Sequence, residues 1–147
     1  MIKIHFEAPS PEDYCNLRAN AGMSIKSIEA AIKGLPHACF NVTLYENDML
    51  IGMGRVIGDG GTVFQIVDIA VKDTYQGLGH GMTIMHEIMK YIESVAEEGT
   101  YVSLIADYPA DQLYEKFGFK STEPYSKGMY IKSVSYTHLT LPTKRIV

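Results

Sequence analysis

At 147 residues, 46% hydrophobic and 20% charged, the chain has the size and make-up of one soluble globular domain that buries a core without staples. Its net charge of −4 argues against nucleic acid or an anionic membrane surface as a partner, and leans toward cationic small molecules. No apolar stretch has the length of a membrane span, MIKIHFEAPS carries no secretory pattern, and Cys15 and Cys39 fit neither a disulfide framework nor a zinc spacing. The expectation is a cytoplasmic protein with both thiols reduced, no metal, and neither a nucleic-acid nor a membrane partner.

Residues 2–7 alternate apolar and polar as a half-buried strand does. Ser10-Pro11-Glu12-Asp13 reads as an N-cap, a proline at the first helical position and acids in the first turn, with Tyr14, Leu17 and Ala21 continuing a helix to about Met23. Ser24 or Ser27 caps a second helix that ends near Gly34-Leu35-Pro36. Residues 38–48 and 49–59 predict two strands joined by a hairpin at Glu46-Asn47-Asp48, and Asp59-Gly60-Gly61 is the next turn. TVFQIVDIAV (62–71) is almost continuously apolar, the pattern of a central strand buried on both faces.

After Val71 the periodicity changes. A helix is predicted from about Gly79 to Ala96, with Met85, Ile88, Met89, Ile92 and Val95 on one side and His86, Glu87, Lys90 and Glu93 on the other. YVSLIAD (101–107) is a buried strand, residues 109–117 a short helix ended by Gly118, and residues 119–121 and 128–132 the last strands. The order β-α-α-β-β-β-α-β-α-β-β describes an α/β protein with a mixed sheet, one domain over residues 1–132. SVSYTHLTLPTKRIV (133–147) breaks the pattern with Thr137, Thr140, Thr143, a proline and a basic pair. It reads as a translated cloning or adapter tail. The competing reading is a terminal strand carrying Val134, Tyr136 and His138.

Gly77, Gly79 and Gly81 alternate at the junction between a strand and a helix. Glycines there leave a row of backbone N–H groups unobstructed, and the helix start adds unpaired donors and about half a positive charge. Such a row binds anions, diphosphate above all. The spacing is neither the dinucleotide G-x-G-x-x-G nor a P-loop, so a turn that needs positive φ and close helix–strand packing explains it equally well.

The neighbouring motifs favour the ligand. Gln76-Gly77-Leu78-Gly79-His80-Gly81 resembles the Gln/Arg-x-x-Gly-x-Gly/Ala signature of the GNAT superfamily of N-acetyltransferases. Asp68-Ile69-Ala70-Val71 upstream and Leu113-Tyr114-Glu115-Lys116-Phe117-Gly118-Phe119 downstream are similar to the family's flanking segments, and the element order over residues 1–132 is the family's order.

The resemblance implies the chemistry. Gln76, Gly77, Leu78, Gly79, His80 and Gly81, with Met82 beside them, would hold the pyrophosphate of acetyl-CoA through their amides. The backbone of Ile69, Ala70 and Val71 would pair with the pantetheine arm, and one N–H there, that of Ile69, would polarise the thioester carbonyl. Tyr114 matches the family's tyrosine near the departing thiolate; its ordinary pKa of about 10, against about 8.5 for a thiol, keeps it a donor at neutral pH. Where many members carry an asparagine on the arm, this chain has Asp107. Asp68 is a general-base candidate beside the acetyl position, with binding of the substrate cation or pairing with Arg55 as its other readings. Asp59, Glu46 and His80 rank below it.

The implied reaction is acetyl transfer from acetyl-CoA to a primary amine by direct attack in a ternary complex. The acceptor would be a small cationic molecule such as a polyamine, amino sugar or aminoglycoside, shaped by residues 10–35 and the loops near Asp59 and Tyr125. A peptide amine as acceptor, an acyl-CoA sensor without turnover, and an interaction domain with a purely structural glycine turn are the alternatives. Family resemblance also suggests a homodimer paired through the last strands. Three features carry no such weight. Gly52 and Gly54 are best explained by close packing or a bulge, His86-Glu87 lacks the second histidine of a zincin helix, and Met82, Met85 and Met89 read as core filler.

Overall fold

Ser10 and Ser27 open the first two helices, each by accepting a backbone N–H three residues on, from Asp13 and Ala30 at 3.1 Å. They start α1 (Pro11–Asn20) and α2 (Ile28–Gly34). Of the two serines that could have capped α2, Ser24 is engaged elsewhere: its carbonyl and hydroxyl accept from Arg18 at 2.9–3.1 Å. The computed structural model describes residues 1–132, so the foreign-tail expectation for residues 133–147 lies outside the described residues.

The sheet contains β1 (Ile2–His5), β2 (Phe40–Glu46), β3 (Met49–Gly58), β4 (Val63–Val71) and β5 (Tyr101–Ser103), in that spatial order. The first four run antiparallel, β2–β3 and β3–β4 through short hairpins and β1–β2 by way of α1 and α2, and β5 is parallel to β4, which requires a crossover. That crossover is α3 (His80–Val95), followed after β5 by α4 (Asp111–Glu115).

Each face of the sheet has its own core. Ile84, Met85, Ile88 and Ile92 of α3 pack on Val42, Leu44, Ile51, Val56, Phe64 and Ile66. On the other face Tyr14, Leu17, Ala31 and Leu35 cover Leu50, Met53 and Ala70. Full burial of each large apolar side chain contributes about 1.5–3 kcal/mol. At Gly54 the helix presses so closely on the sheet that an added Cβ would lie 2.7 Å from Ile69 Cδ1 and Ile84 Cγ2, so close packing is the reason for that glycine. Between β3 and β4, the Asp59 carboxylate accepts from the N–H groups of Gly61, Thr62 and Val63 and from the Thr62 hydroxyl.

Two expectations about the sheet need correction. The strand expected over residues 101–107 stops at Ser103, and residues 119–121 and 128–132 form no strand among the described residues. Both have one physical reason. A strand exists by virtue of its ladder, and β4 pairs with β5 only through Val63–Tyr101, Phe64–Val102 and Gln65–Ser103. Beyond those pairs the chain has no described neighbour to bond, and Met129, Tyr130 and Ile131 are left exposed.

Candidate active site

The alternation of β4 reverses part-way along the strand. Phe64 and Ile66 face α3, but so do Ile69 and Val71, while Asp68 and Ala70 face α1 and α2. One extra residue accounts for this. Arg55 pairs with Val67 and Met53 with Ala70, so Gly54 alone opposes both Asp68 and Ile69, a β-bulge. Asp68 absorbs it in the left-handed region, at φ 60°. Because side chains repeat every two residues, a slip of one sends everything beyond it to the other face. Without the bulge the carboxylate would enter the apolar core beneath α3.

On the α1 face Asp68 finds three partners. Its Oδ1 accepts from Arg18 Nη1 at 2.5 Å; its Oδ2 accepts from Arg55 Nε at 2.8 Å and from the Tyr14 hydroxyl at 2.9 Å. The Asp68 side chain is 5% exposed. Burial first, and then the charge of Asp68, push the Tyr14 hydroxyl up to about 12. Both guanidinium groups also lie about 6 Å from the Tyr14 ring, at 5.9 Å for Arg18 and 5.8 Å for Arg55. The pairing of Asp68 with Arg55 was one of the readings open in the sequence; Tyr14 and Arg18 were not singled out there. The available signal was the switch of apolar spacing in TVFQIVDIAV from even positions to odd ones across Val67-Asp68.

Past Gln65 and Ser103, β4 and β5 separate. The opening continues into a cavity of about 640 Å³ bounded by α1, α2, β4 and the segment after β5. Asp68 and Ile69 line it, as do Asp107 and Tyr114, which the sequence places far apart. The Lys72 N–H donates to Ile51 of β3 at 2.8 Å, so strand alternation turns the N–H groups of Val71 and Ile69 toward the open side. Burial, and then the charge of Asp107, raise the Tyr114 hydroxyl above its ordinary value, so it remains protonated at neutral pH. Tyr114 itself is half-buried, edge-on to Phe119 at 6.4 Å.

The glycine turn follows the end of β4 and is tied down on both sides. Asn20 accepts from Asp73 N–H at 2.8 Å, the Tyr75 hydroxyl donates to Glu46 at 2.5 Å, and Gln76 Nε2 donates to the Val71 carbonyl at 2.9 Å. From Gly77 to Met82, six successive N–H groups have no hydrogen-bond partner among the described residues. Gly77 and Gly79 stand at φ 78° and 89°, and Gly79 is the residue that precedes the first turn of α3. An added Cβ at either would meet nothing within 4 Å, so the space outside the turn is open rather than filled by helix–strand packing. An added Cβ at Gly81 would lie 3.4 Å from Leu113 Cδ2, an ordinary contact. Unpaired amides at the start of a helix, with open space outside them, have the chemistry that suits an anion.

Asp59 and Glu46, the lesser base candidates, are committed elsewhere, to the hairpin turn and to Tyr75. His80 begins α3 with its ring 6.1 Å from that of Tyr75. Among the described residues no group of three His, Cys, Asp or Glu side chains is placed to hold a metal ion, and no helix is long and apolar enough to cross a membrane.

Residues 18–139 match the family model of the acetyltransferase (GNAT) domain. The chain belongs to the GNAT family. It is therefore an acyltransferase, and its five-stranded mixed sheet is the GNAT sheet. Among solved GNAT-like structures, the probable acetyltransferase SA2161 of meticillin-resistant Staphylococcus aureus is 68% identical, with a TM-score of 0.89, over 90% of this chain and 100% of that one. The GNAT family protein SP0256 of Streptococcus pneumoniae shares the fold at 24% identity and a TM-score of 0.75, over 92% and 100% of the two chains. The N-acetyltransferase ycf52 of Porphyra purpurea is 29% identical over 81% of this chain and 68% of its own length. The N-acetyltransferase C1271.07c of Schizosaccharomyces pombe is 33% identical over 63% of this chain and 58% of its own.

Proposed function

We propose that the protein transfers the acetyl group of acetyl-CoA to a primary amine of a small molecule, by direct attack within a ternary complex. The observation that carries this reading is the run of unpaired amides from Gly77 to Met82, set at the end of the strand that parts from its neighbour. The amides of this turn bind the pyrophosphate, with Gln76 holding the turn against Val71. The freed edge of β4 at Ile69, Ala70 and Val71 pairs with the pantetheine arm, and Asp107 lies along its path. The Ile69 N–H, turned outward by the bulge, hydrogen-bonds the thioester oxygen and stabilises the negative charge that grows there as the amine attacks.

Proton balance decides the remaining roles. The ammonium loses a proton before attack, the new amide nitrogen loses a second, and the departing thiolate gains one. Tyr114, raised above about 10, is a weaker acid than a thiol at about 8.5, so it supports the leaving sulfur by donating a hydrogen bond rather than by net transfer of its proton. Asp68 already accepts three hydrogen bonds, from Arg18, Arg55 and Tyr14. In this reading it anchors the bulge that aims Ile69, and the ammonium proton leaves through the open cavity.

Calorimetric titration of acetyl-CoA into the protein and into a folded Gly79→Glu variant tests the reading, followed by thiol release with a panel of amines. The expected result is wild-type binding on the order of 10 μM, lost in the variant, with amine-dependent thiol release. Binding without release for any amine would instead identify an acyl-CoA sensor. No binding by the folded wild type would make the turn purely structural.

A further inference from the structure

The cavity beside the bulge is cationic although the whole chain is acidic. Arg18, Lys26 and Arg55 line it against Asp68 and Asp107. Every nitrogen of Arg18 has a partner: Nη1 holds Asp68, while Nε and Nη2 hold Ser24. Arg55 differs. Its Nε holds Asp68 Oδ2 at 2.8 Å, and neither terminal nitrogen has a partner among the described residues, with Nη1 wholly buried. Asn41, directly opposite on β2, does not supply the missing acceptor, for its own Oδ1 is also buried without a partner. Unused donors on a buried cation are costly, and a carboxylate or phosphate oxygen satisfies a guanidinium best.

We infer that Arg55 is the subsite for an anionic group of the acceptor, so that the substrate is an amine that also carries a carboxylate or a phosphate. This rests on the acetyl-transfer reading above. Three features favour it. Arg55 is fixed in place by the Asp68 bond and by the Tyr14 ring 5.8 Å away, so little freedom is lost when an anion binds. It follows Gly54, the residue that opposes Asp68 and Ile69 across the bulge. Since neighbouring strands lie about 5 Å apart, an amine attacking the thioester held at the Ile69 amide and an anion at Arg55 fit one small molecule with a few bonds between the two groups. A polyamine would instead place its second cation against an arginine.

The test compares matched acceptors in the presence of acetyl-CoA: O-phosphoethanolamine against ethanolamine, β-alanine against its amide, and spermidine as the polycation. The wild type is expected to favour the anionic member of each pair by about 10- to 100-fold in kcat/KM, the range of a charged hydrogen bond. Arg55→Gln is expected to lose that preference through KM, and Arg55→Lys to retain part of it. Which anion gains more separates phosphate from carboxylate. For acceptors that bind without turnover, calorimetry on the coenzyme A complex reads the same ratio. Equal or better use of the neutral amines or of spermidine by the wild type overturns the inference and leaves acetyl transfer standing, as does a folded Arg55→Gln variant that keeps the preference. Failure to bind acetyl-CoA, or binding without release for every amine, rejects both.

Discussion

The Tyr14 hydroxyl donates to Asp68 Oδ2 at 2.9 Å, and through this bond helix α1 grips the bulge of β4 from 54 residues away. Arg18, one turn further along α1, holds the other oxygen. The helix that covers the candidate acceptor cavity and the strand that presents the Ile69 amide are thus joined by one buried carboxylate.

Tyr14 makes stability depend on alkaline pH. Its hydroxyl titrates at about 12 in the folded protein and at about 10 when unfolded. A raised folded value means stability that is complete below pH 10 and lost as pH rises through 12. Two units correspond to about 3 kcal/mol. Urea unfolding of the wild type and of Tyr14→Phe, measured from pH 9 to 12, should show this extra loss in the wild type alone. Parallel curves would mean that the hydroxyl is not held in this way.

Asp68→Asn keeps the shape of the side chain and removes its charge, leaving two buried guanidinium groups to face an amide. Breaking a buried ion-pair network on one side is expected to cost about 3–5 kcal/mol. Chemical denaturation measures it. If Asp68 were chiefly a proton acceptor, the variant would lose turnover while keeping its stability, and that result would reverse the assignment made here.

Tyr114→Phe separates chemistry from binding. On the acetyl-transfer reading the variant loses the donor to the leaving thiolate, and kcat should fall by about 100-fold while acetyl-CoA affinity stays within a factor of about two. Steady-state kinetics beside calorimetry decides. An equal loss in affinity would make the tyrosine a packing residue, the role its edge-on contact with Phe119 would then explain.

Much of this was readable along the chain because the physics involved is local. Ser10 before Pro11 is a capping signal that acts within three residues, and Gly77 and Gly79 occupy positive φ, which other residues avoid. The motif around Gln76 to Gly81 pointed to the family, and the family model over residues 18–139 bears that out. The final strands were over-read. Residues 128–132 have strand-like composition, but composition supplies no ladder, and β5 ends at Ser103 before it could pass one on.

The sequence by itself determined the element order as far as α4, the glycine turn and the family, since each depends on residues close enough to act on one another through backbone conformation. Only the tertiary structure decided the surroundings of Asp68. They come from Tyr14 and Arg18 on a distant helix and Arg55 on the adjoining strand, brought together by a one-residue bulge. A bulge inverts every later side chain, so whether a carboxylate lies in a hydrophobic core or between two arginines is settled by strand register. Register is a property of two strands together, and no single stretch of chain carries it.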